Sequence, residues 1–409
     1  MNITADYLLK ESKTFCILPW VHLYVTPQGV TAPCCISKFT NSSIGVGDSQ
    51  RYSVAEIMNG ETMTKLRVDM LKGVKHTSCE TCHQYEEQGI ESPRASFNKE
   101  NSRHVTADLI KPDGSLLDFK LRYFDIRFSN ICNFKCRTCG SNCSSLWEQE
   151  DKKHLGIIQI KNDNRIILDE VIGQIQNMDR AYFAGGEPLI TDEHYLLLEE
   201  MIKQKRTDIQ LMYNTNLSNI RFKDKDLLGL WKHFTHNVIV YASIDHYGER
   251  AEYIRHGTDW AQVENNFDTI RRTSNIDIQM NTVLSVYNCS SMLEFYKYLI
   301  DKKLYTRTDG SNNIYNLATP EFLSANILPD RYKIKARANL QELTKVMKVA
   351  FHENNNKLDP VTNSIAWLAA DSTWDQYKEQ FKAETLRIDQ IRGEDFNRTF
   401  PELAGLLDE

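Results

Sequence analysis

Three cysteines in one short stretch, Cys132, Cys136 and Cys139, are spaced C-x3-C-x2-C. A cube of four irons usually takes four thiolates. Three thiolates this close together can hold three irons and leave the fourth open. An open metal position is where a ligand binds, by the logic that separates catalytic from structural zinc sites. The stretch follows a strand-like run, Leu121–Ser129, in which Phe124, Ile126 and Phe128 alternate with Asp125 and Arg127. Phe134 inside the loop is placed to pack over a cluster, and Gly140 allows a tight exit. The competing reading is a zinc site borrowing the same thiols, but zinc modules favour paired C-x2-C knuckles.

Five of the ten cysteines lie in the first hundred residues. Cys16 comes first. Gly29 and Cys34 make a G-x4-C unit with Cys35 beside it, and Cys79 and Cys82 make C-x2-C after an amphipathic run, Glu61 to Lys72. Clustered cysteines in a chain expected to lack a secretory signal read as metal ligands rather than disulfides. Cys16, Cys34, Cys79 and Cys82 can close one tetrahedral site, and the spacing fits either a zinc knuckle or a fully ligated iron–sulfur cluster. By the G-x4-C spacing Cys34 is the better ligand candidate, with Cys35 then expected to point away or to substitute if the loop shifts. His22 and His83 read as ordinary polar residues, Cys143 as a free thiol at a helix start, and Cys289 as a buried apolar cysteine.

These residues need a frame. Strand-like runs at Leu121–Ser129, Arg180–Ala184, Asp208–Asn214, Asn237–Ser243, Ile276–Val283 and Asn313–Leu317 alternate with helical stretches such as Asp192–Lys205, Asp259–Thr273 and Ser290–Lys302. Six such units predict an α/β fold: a partial (β/α)6 TIM-like barrel of parallel strands, with chemistry at the C-terminal strand ends. A small Cys-rich cluster domain (1–100) precedes it, a polar linker containing Pro112-Asp113-Gly114 spans 101–117, the core spans 118–330, and a helical extension covers 331–409. In the extension Leu340, Leu343, Met347 and Phe351 form one apolar stripe, read as packing against the barrel wall, and a second helix is expected near Thr373–Arg387.

The strand ends carry the remaining polar motifs. Gly185-Gly186-Glu187-Pro188 follows the second strand, where two glycines admit a ligand close to the backbone and Glu187 can accept hydrogen bonds from an ammonium group. Asn214-Thr215-Asn216 ends the third, Ser243-Ile244-Asp245 the fourth, and Asn281-Thr282-Val283 the fifth, with Asn288 placed to cap the next helix. Arg255, in Arg255-His256-Gly257, suits a carboxylate through its planar fork.

The run Ser129–Cys139 resembles the signature of the radical SAM superfamily. In that family the open iron of a [4Fe–4S] cluster is chelated by S-adenosylmethionine. Its one-electron cleavage yields a 5′-deoxyadenosyl radical that abstracts hydrogen from a substrate. The resemblance implies that Cys132, Cys136 and Cys139 hold this cluster and that Gly185, Gly186, Glu187 and Pro188 match the GGEP motif that binds the cofactor's amino group. Residues 214–216 look like the family's T-N-G segment, with Leu217 in place of the glycine. Ser243 and Arg255 resemble the serine and arginine that contact the cofactor's ribose and carboxylate in the peptide-modifying branch. The order C…G-x4-C…C-x2-C resembles the single-cluster half of a SPASM domain, called twitch, and implies a second [4Fe–4S] cluster on Cys16, Cys34, Cys79 and Cys82. Relatives usually carry that module after the core, and here it comes before. The resemblance covers residues 14–90 and 120–330.

It implies oxidation or crosslinking of a peptide or protein substrate, with an external one-electron reductant of the flavodoxin or ferredoxin type. Modification of a sugar or nucleotide is the alternative. A non-catalytic zinc- or iron-binding interaction protein is the reading from another class. The acid, base or quenching residue is not legible; Asp125, Asp245 and Tyr247 lie near strand ends. A net charge of −6 argues against a broad nucleic-acid surface, and so against an RNA-modifying enzyme. The chain lacks a run of about 18 apolar residues, so no membrane span is expected and the expected compartment is the cytoplasm.

Overall fold

The computed structural model describes residues 4–38, 47–87, 91–156, 167–304, 313–351 and 359–408. Its strands are β1 (His22–Val25), β2 (Val30–Ala32), β3 (Gly47–Asp48), β4 (Tyr123–Ile126), β5 (Lys135–Cys136), β6 (Arg180–Phe183), β7 (Gln210–Thr215), β8 (Arg221–Phe222), β9 (Lys225–Asp226), β10 (Val238–Ser243), β11 (Arg255–His256), β12 (Ile276–Leu284) and β13 (Asn313–Asn316). The six expected strands are β4, β6, β7, β10, β12 and β13. With helices Asp192–Lys203, Trp260–Arg271 and Met292–Asp301 among those between them, the chain is mixed α/β with a large parallel-strand sheet of the partial TIM-like kind.

The chain forms two compact units. The first takes Met1–Ile131, Lys152–Met212 and Gly229–His236; the second takes Cys132–Asp151, Tyr213–Leu228 and Asn237–Glu409. Strand β7 runs from the first into the second, and the 118–330 span contributes to both.

In the first unit β4 is flanked by parallel neighbours on both sides. Tyr123 and Phe124 pair with Arg180 and Ala181 of β6, and Tyr123–Ile126 pair with His22–Val25 of β1. Strands β1 and β2 form an antiparallel hairpin, and β3 extends it. All four residues of β1 and of β4 are buried, as expected of strands covered on both faces. The Cys-rich segment therefore joins the barrel sheet as extra strands. The stretch read as a linker is also packed: Leu116 is buried, and its N–H and C=O are both bonded by the Asn59 side chain.

Arg67 is the centre of this packing. It is wholly buried on the helix Glu61–Leu71, and its guanidinium donates to the carbonyls of Gly114 at 2.7 Å, Pro19 at 2.9 Å and Met58 at 2.5 Å. Burial lowers its pKa to about 10, which leaves it charged at neutral pH.

In the second unit β12 lies between parallel neighbours, with Val238–Ser243 of β10 opposite Ile276–Asn281 and Asn313–Asn316 of β13 opposite Asn281–Leu284. Alternate residues of β10 and β12 are buried. The helix Asp330–Phe351 buries Leu340, Leu343 and Met347 along one stripe; the side chain of Phe351 lies outside the described residues. Asn339 of that helix accepts a hydrogen bond from the N–H of Leu293 on the helix Met292–Asp301. The last long helix is Trp374–Arg392, ended by Gly393 in the left-handed conformation. Asn288 is not a helix cap. Its side chain donates to the carbonyls of Asp245 and Val283 and accepts from the N–H of Ser285, tying two strand ends together.

Replacing Arg67 by Met strands three buried carbonyls and should destabilise the protein by about 3 kcal/mol or more. A urea-unfolding free energy within ~0.5 kcal/mol of wild type would show that those bonds contribute nothing net.

Candidate functional site

The three-cysteine loop belongs to the second unit and is fixed at nearly every residue. The Cys132 N–H donates to Ser145 Oγ, and the Phe134 N–H donates to Cys132 Sγ at 3.4 Å. Asn133 is joined to the end of β7: its Nδ2 donates to Ser218 Oγ, and Asn216 Nδ2 donates to its Oδ1. Phe134 is buried beneath the loop. Strand β5 pairs antiparallel with β11, Cys136 opposite Arg255 and Lys135 opposite His256, and the Arg137 N–H donates to the Ile254 carbonyl. Cys136 is buried, Cys132 half-buried and Cys139 exposed. Gly140 is in a turn that a Cβ would not disturb severely, so the exit does not demand glycine.

Gly257 does need to be glycine. Its φ is +108°, and a Cβ there would stand 2.8 Å from the Asn133 carbonyl oxygen and 3.0 Å from the Phe134 ring. Leu217, where the resembling motif has glycine, has φ +61°. The left-handed turn is thus kept with a side chain that is strained by roughly 1–2 kcal/mol and compensated by complete burial.

Arg255 reaches across this clamp. Its Nε lies 2.8 Å from Asp245 Oδ2, and its Nη1 donates to Cys136 Sγ at 3.7 Å. Burial opposes the charge on Arg255, yet Asp245 and Cys136 beside it raise its pKa above the usual arginine value. Asp245 is itself buried and accepts the Val283 N–H through Oδ1. Ser243 ends β10 directly opposite Asn281, whose Oδ1 is buried without a partner. Tyr247 donates its hydroxyl proton to Glu294 Oε1, which raises its pKa to about 12.

The Gly185–Pro188 turn belongs to the first unit. The Glu187 N–H donates to the Ile131 carbonyl at 2.7 Å, and a Cβ on Gly186 would stand 2.1 Å from that same oxygen. The turn therefore lies flat against the backbone of the residue preceding Cys132. The buried Glu187 carboxylate accepts the Leu189 N–H at 3.1 Å and so caps its own short helical turn.

The first unit also holds the N-terminal thiols. Cys16, Cys34, Cys35, Cys79 and Cys82 all line one cavity of about 240 Å³, together with His22, Arg94, Tyr123 and Asp125. Cys35, expected to point away, lines it too: the adjacent pair spans a turn rather than an extended strand. Asn98 brackets Cys16, accepting the Ile17 N–H at 2.8 Å and donating to the Phe15 carbonyl at 2.9 Å. Arg94 also donates to Phe15 and pairs with Glu86. Burial pushes the Cys16 thiol up to about 12, with Cys79 and Cys82 adding to the rise. His22 gives Nδ1 to the Tyr123 carbonyl, and burial lowers its pKa to about 4. His83 does not line this cavity. Asp125 is buried, with Oδ2 unpartnered and burial raising its pKa.

Among the described residues, no three His, Cys, Asp or Glu side chains converge as they would around one metal ion. The donor chemistry nevertheless fits a thiolate-bound group in both places. Five cysteines line a cavity with room for several atoms. The three-cysteine loop already offers N–H and guanidinium donors to its sulfurs, the kind of contact that tunes an iron–sulfur cluster.

A family model of the SPASM iron–sulfur cluster-binding domain matches residues 16–84. No curated protein matches the chain. Among solved structures, native anSMEcpe with bound AdoMet is 18% identical over 54% of this chain and 58% of that one, with a TM-score of 0.37. Streptococcus suis SuiB bound to S-adenosylmethionine is 14% identical over 87% of this chain and 75% of that one, TM-score 0.37. TYW1 with a lysine-pyruvate adduct bound is 13% identical over 55% and 72%, TM-score 0.32. The chain spans less than two thirds of the length of the first of these. Residues 16–84 are thus similar to iron–sulfur cluster-binding domains of the SPASM kind.

Proposed function

We propose that this chain is a radical S-adenosylmethionine enzyme with an auxiliary cluster, and that it oxidises or crosslinks a peptide or protein substrate. The observation that carries the reading is the C-x3-C-x2-C loop, stitched into place through β5 and β11 with Arg255 donating to one of its sulfurs. Cys132, Cys136 and Cys139 would hold a [4Fe–4S] cluster with an open iron, and Cys16, Cys34, Cys79 and Cys82 a second one. When bound, the first cluster and S-adenosylmethionine supply the electron and the carbon radical that abstracts hydrogen from a substrate.

The protein's part is to bind, orient and shield. Gly185–Pro188 offers a glycine turn and a buried carboxylate for the cofactor's amino group. Ser243, at a strand end beside the orphaned Asn281 Oδ1, is placed for hydroxyl-rich partners such as a ribose. Arg255 is not free for a carboxylate alone, because Asp245 holds it. Its role here is divided between Cys136 and any ligand carboxylate. An external one-electron reductant completes the scheme. The peptide assignment rests on the resemblance of Ser243–Gly257 to the peptide-modifying branch. Among the described residues no helix is long and apolar enough to cross a membrane.

After anaerobic reconstitution the wild type should hold about eight irons, and a Cys132/Cys136/Cys139→Ala variant about four. About four irons and one zinc in the wild type would reduce the N-terminal site to a zinc knuckle. The same count tests the fifth thiol: Cys34→Ser should lose the auxiliary iron while Cys35→Ser keeps it, and the reverse would exchange their roles. Gly257→Ala should cost about four irons, those of the three-cysteine loop, because the Asn133–Phe134 backbone must move. Retention of all of them would mean that the loop tolerates the clash.

A further inference from the structure

The residues on both sides of Cys136 are held by the far end of the chain. The Arg137 side chain, wholly buried, forms ion pairs with Asp389 and Glu394, the former 252 residues away in sequence. Its guanidinium lies 3.7 Å from the Tyr253 ring centre. Tyr253 donates its hydroxyl to Asp389 Oδ1 at 2.8 Å, and Asp389 Oδ2 accepts the Phe396 N–H at 2.7 Å. Glu394 also pairs with His256 Nδ1 at 2.5 Å, on the strand opposite Lys135.

A second set closes the other side. Arg392 Nη1 donates to the Lys135 carbonyl at 3.0 Å, and its Nη2 pairs with the buried Glu150 carboxylate at 2.9 Å. Lys135 pairs with the same carboxylate. The Arg392 guanidinium lies 4.5 Å from the Trp147 ring centre, and Trp147 Nε1–H donates to the Cys136 carbonyl at 2.8 Å.

Burying this many charges costs desolvation, so the network is weak evidence for stability; what it does accomplish is to select one arrangement of the backbone it grips. We propose that Asp389, Arg392 and Glu394 are positioning residues for the three-cysteine loop. The segment Asp389–Phe396 locks Lys135–Arg137 in one conformation, so that the Cys136 thiol is presented ready-made to the metal group. The role in cluster binding rests on the proposed function; the lock on the loop does not. The C-terminal extension thus does more than cover the barrel wall.

The test uses the full-length protein. Hydrogen–deuterium exchange of a peptide covering residues 132–139 is read before reconstitution, and iron loss to a chelator afterwards. The variants are Glu394→Gln, Arg392→Met and the conservative Arg392→Lys. In Glu394→Gln and Arg392→Met, exchange in the loop should rise about tenfold, while a peptide from β12 is unchanged and unfolding stays cooperative. Arg392→Lys should restore most of the protection, since an ammonium still reaches Glu150. Iron loss from the loop should quicken by a similar factor, with the auxiliary iron unaffected. Should Arg392→Met fail to fold, Glu394→Gln, which keeps the side-chain shape, decides. Unchanged loop exchange in Glu394→Gln would overturn the proposal, as would an equal rise in β12. A wild type that takes up no iron, with the loop-specific rise still seen in the variants, would leave the lock standing and refute the enzyme reading.

Discussion

Cys136 sits in a two-residue antiparallel bridge with Arg255, and the chemistry proposed for the second unit depends on that bridge holding. A thiolate cluster needs several sulfurs presented at once, and a loop free to wander would lose chain entropy each time it bound. Here that loss is met in folding. The bridge fixes Lys135 and Cys136, Gly257 lets the partner strand lie against Asn133 and Phe134, and Asn216 ties Asn133 to the end of β7. The Asp245 and Arg255 pair adds a charge whose position is set by the Val283 N–H, so that a guanidinium hydrogen faces the Cys136 sulfur.

The first unit meets a related demand differently. Its five thiols come from three separate stretches of chain, and no local turn can gather them. Secondary elements do so instead. The helix Pro93–Glu100 clamps the Cys16 backbone through Asn98 and Arg94, the hairpin of β1 and β2 delivers Cys34 and Cys35, and the helix Glu80–Glu87 carries Cys82. Pairing of β1 with β4 then fixes this module against the first barrel strand. That register places Asp125, on β4, in the wall of the thiol cavity. The cysteine-rich segment enters the sheet of the first unit as added strands, β1 pairing with β4 and the β2–β3 hairpin continuing from it.

Much of this was legible in the residues. The six barrel strands showed through alternation or short apolar runs, and their ends carried the motifs. The N-terminal thiols could be grouped by spacing, although spacing could not say that Cys35 shares the cavity. What escaped had no local signal. Strand β1 is four buried residues with no alternation to mark it. The apparent linker holds its place through carbonyls that only Arg67 and Asn59 reveal, and Asn288 looked like a cap because the partner that decides its role, the Asp245 carbonyl, lies 43 residues away in sequence. The ion network of Asp389, Arg392 and Glu394 leaves no period or motif, since its partners lie some 250 residues away. Leu217 marks the opposite case: the motif residue is absent, but the backbone conformation that the motif serves is present.

The most direct measurement is the cleavage of S-adenosylmethionine by the anaerobically reconstituted, chemically reduced protein, followed as 5′-deoxyadenosine and methionine against a Cys136→Ala variant. The account predicts steady formation of both products by the wild type and none above background by the variant. A wild type that holds a full complement of iron and still forms no 5′-deoxyadenosine would contradict it.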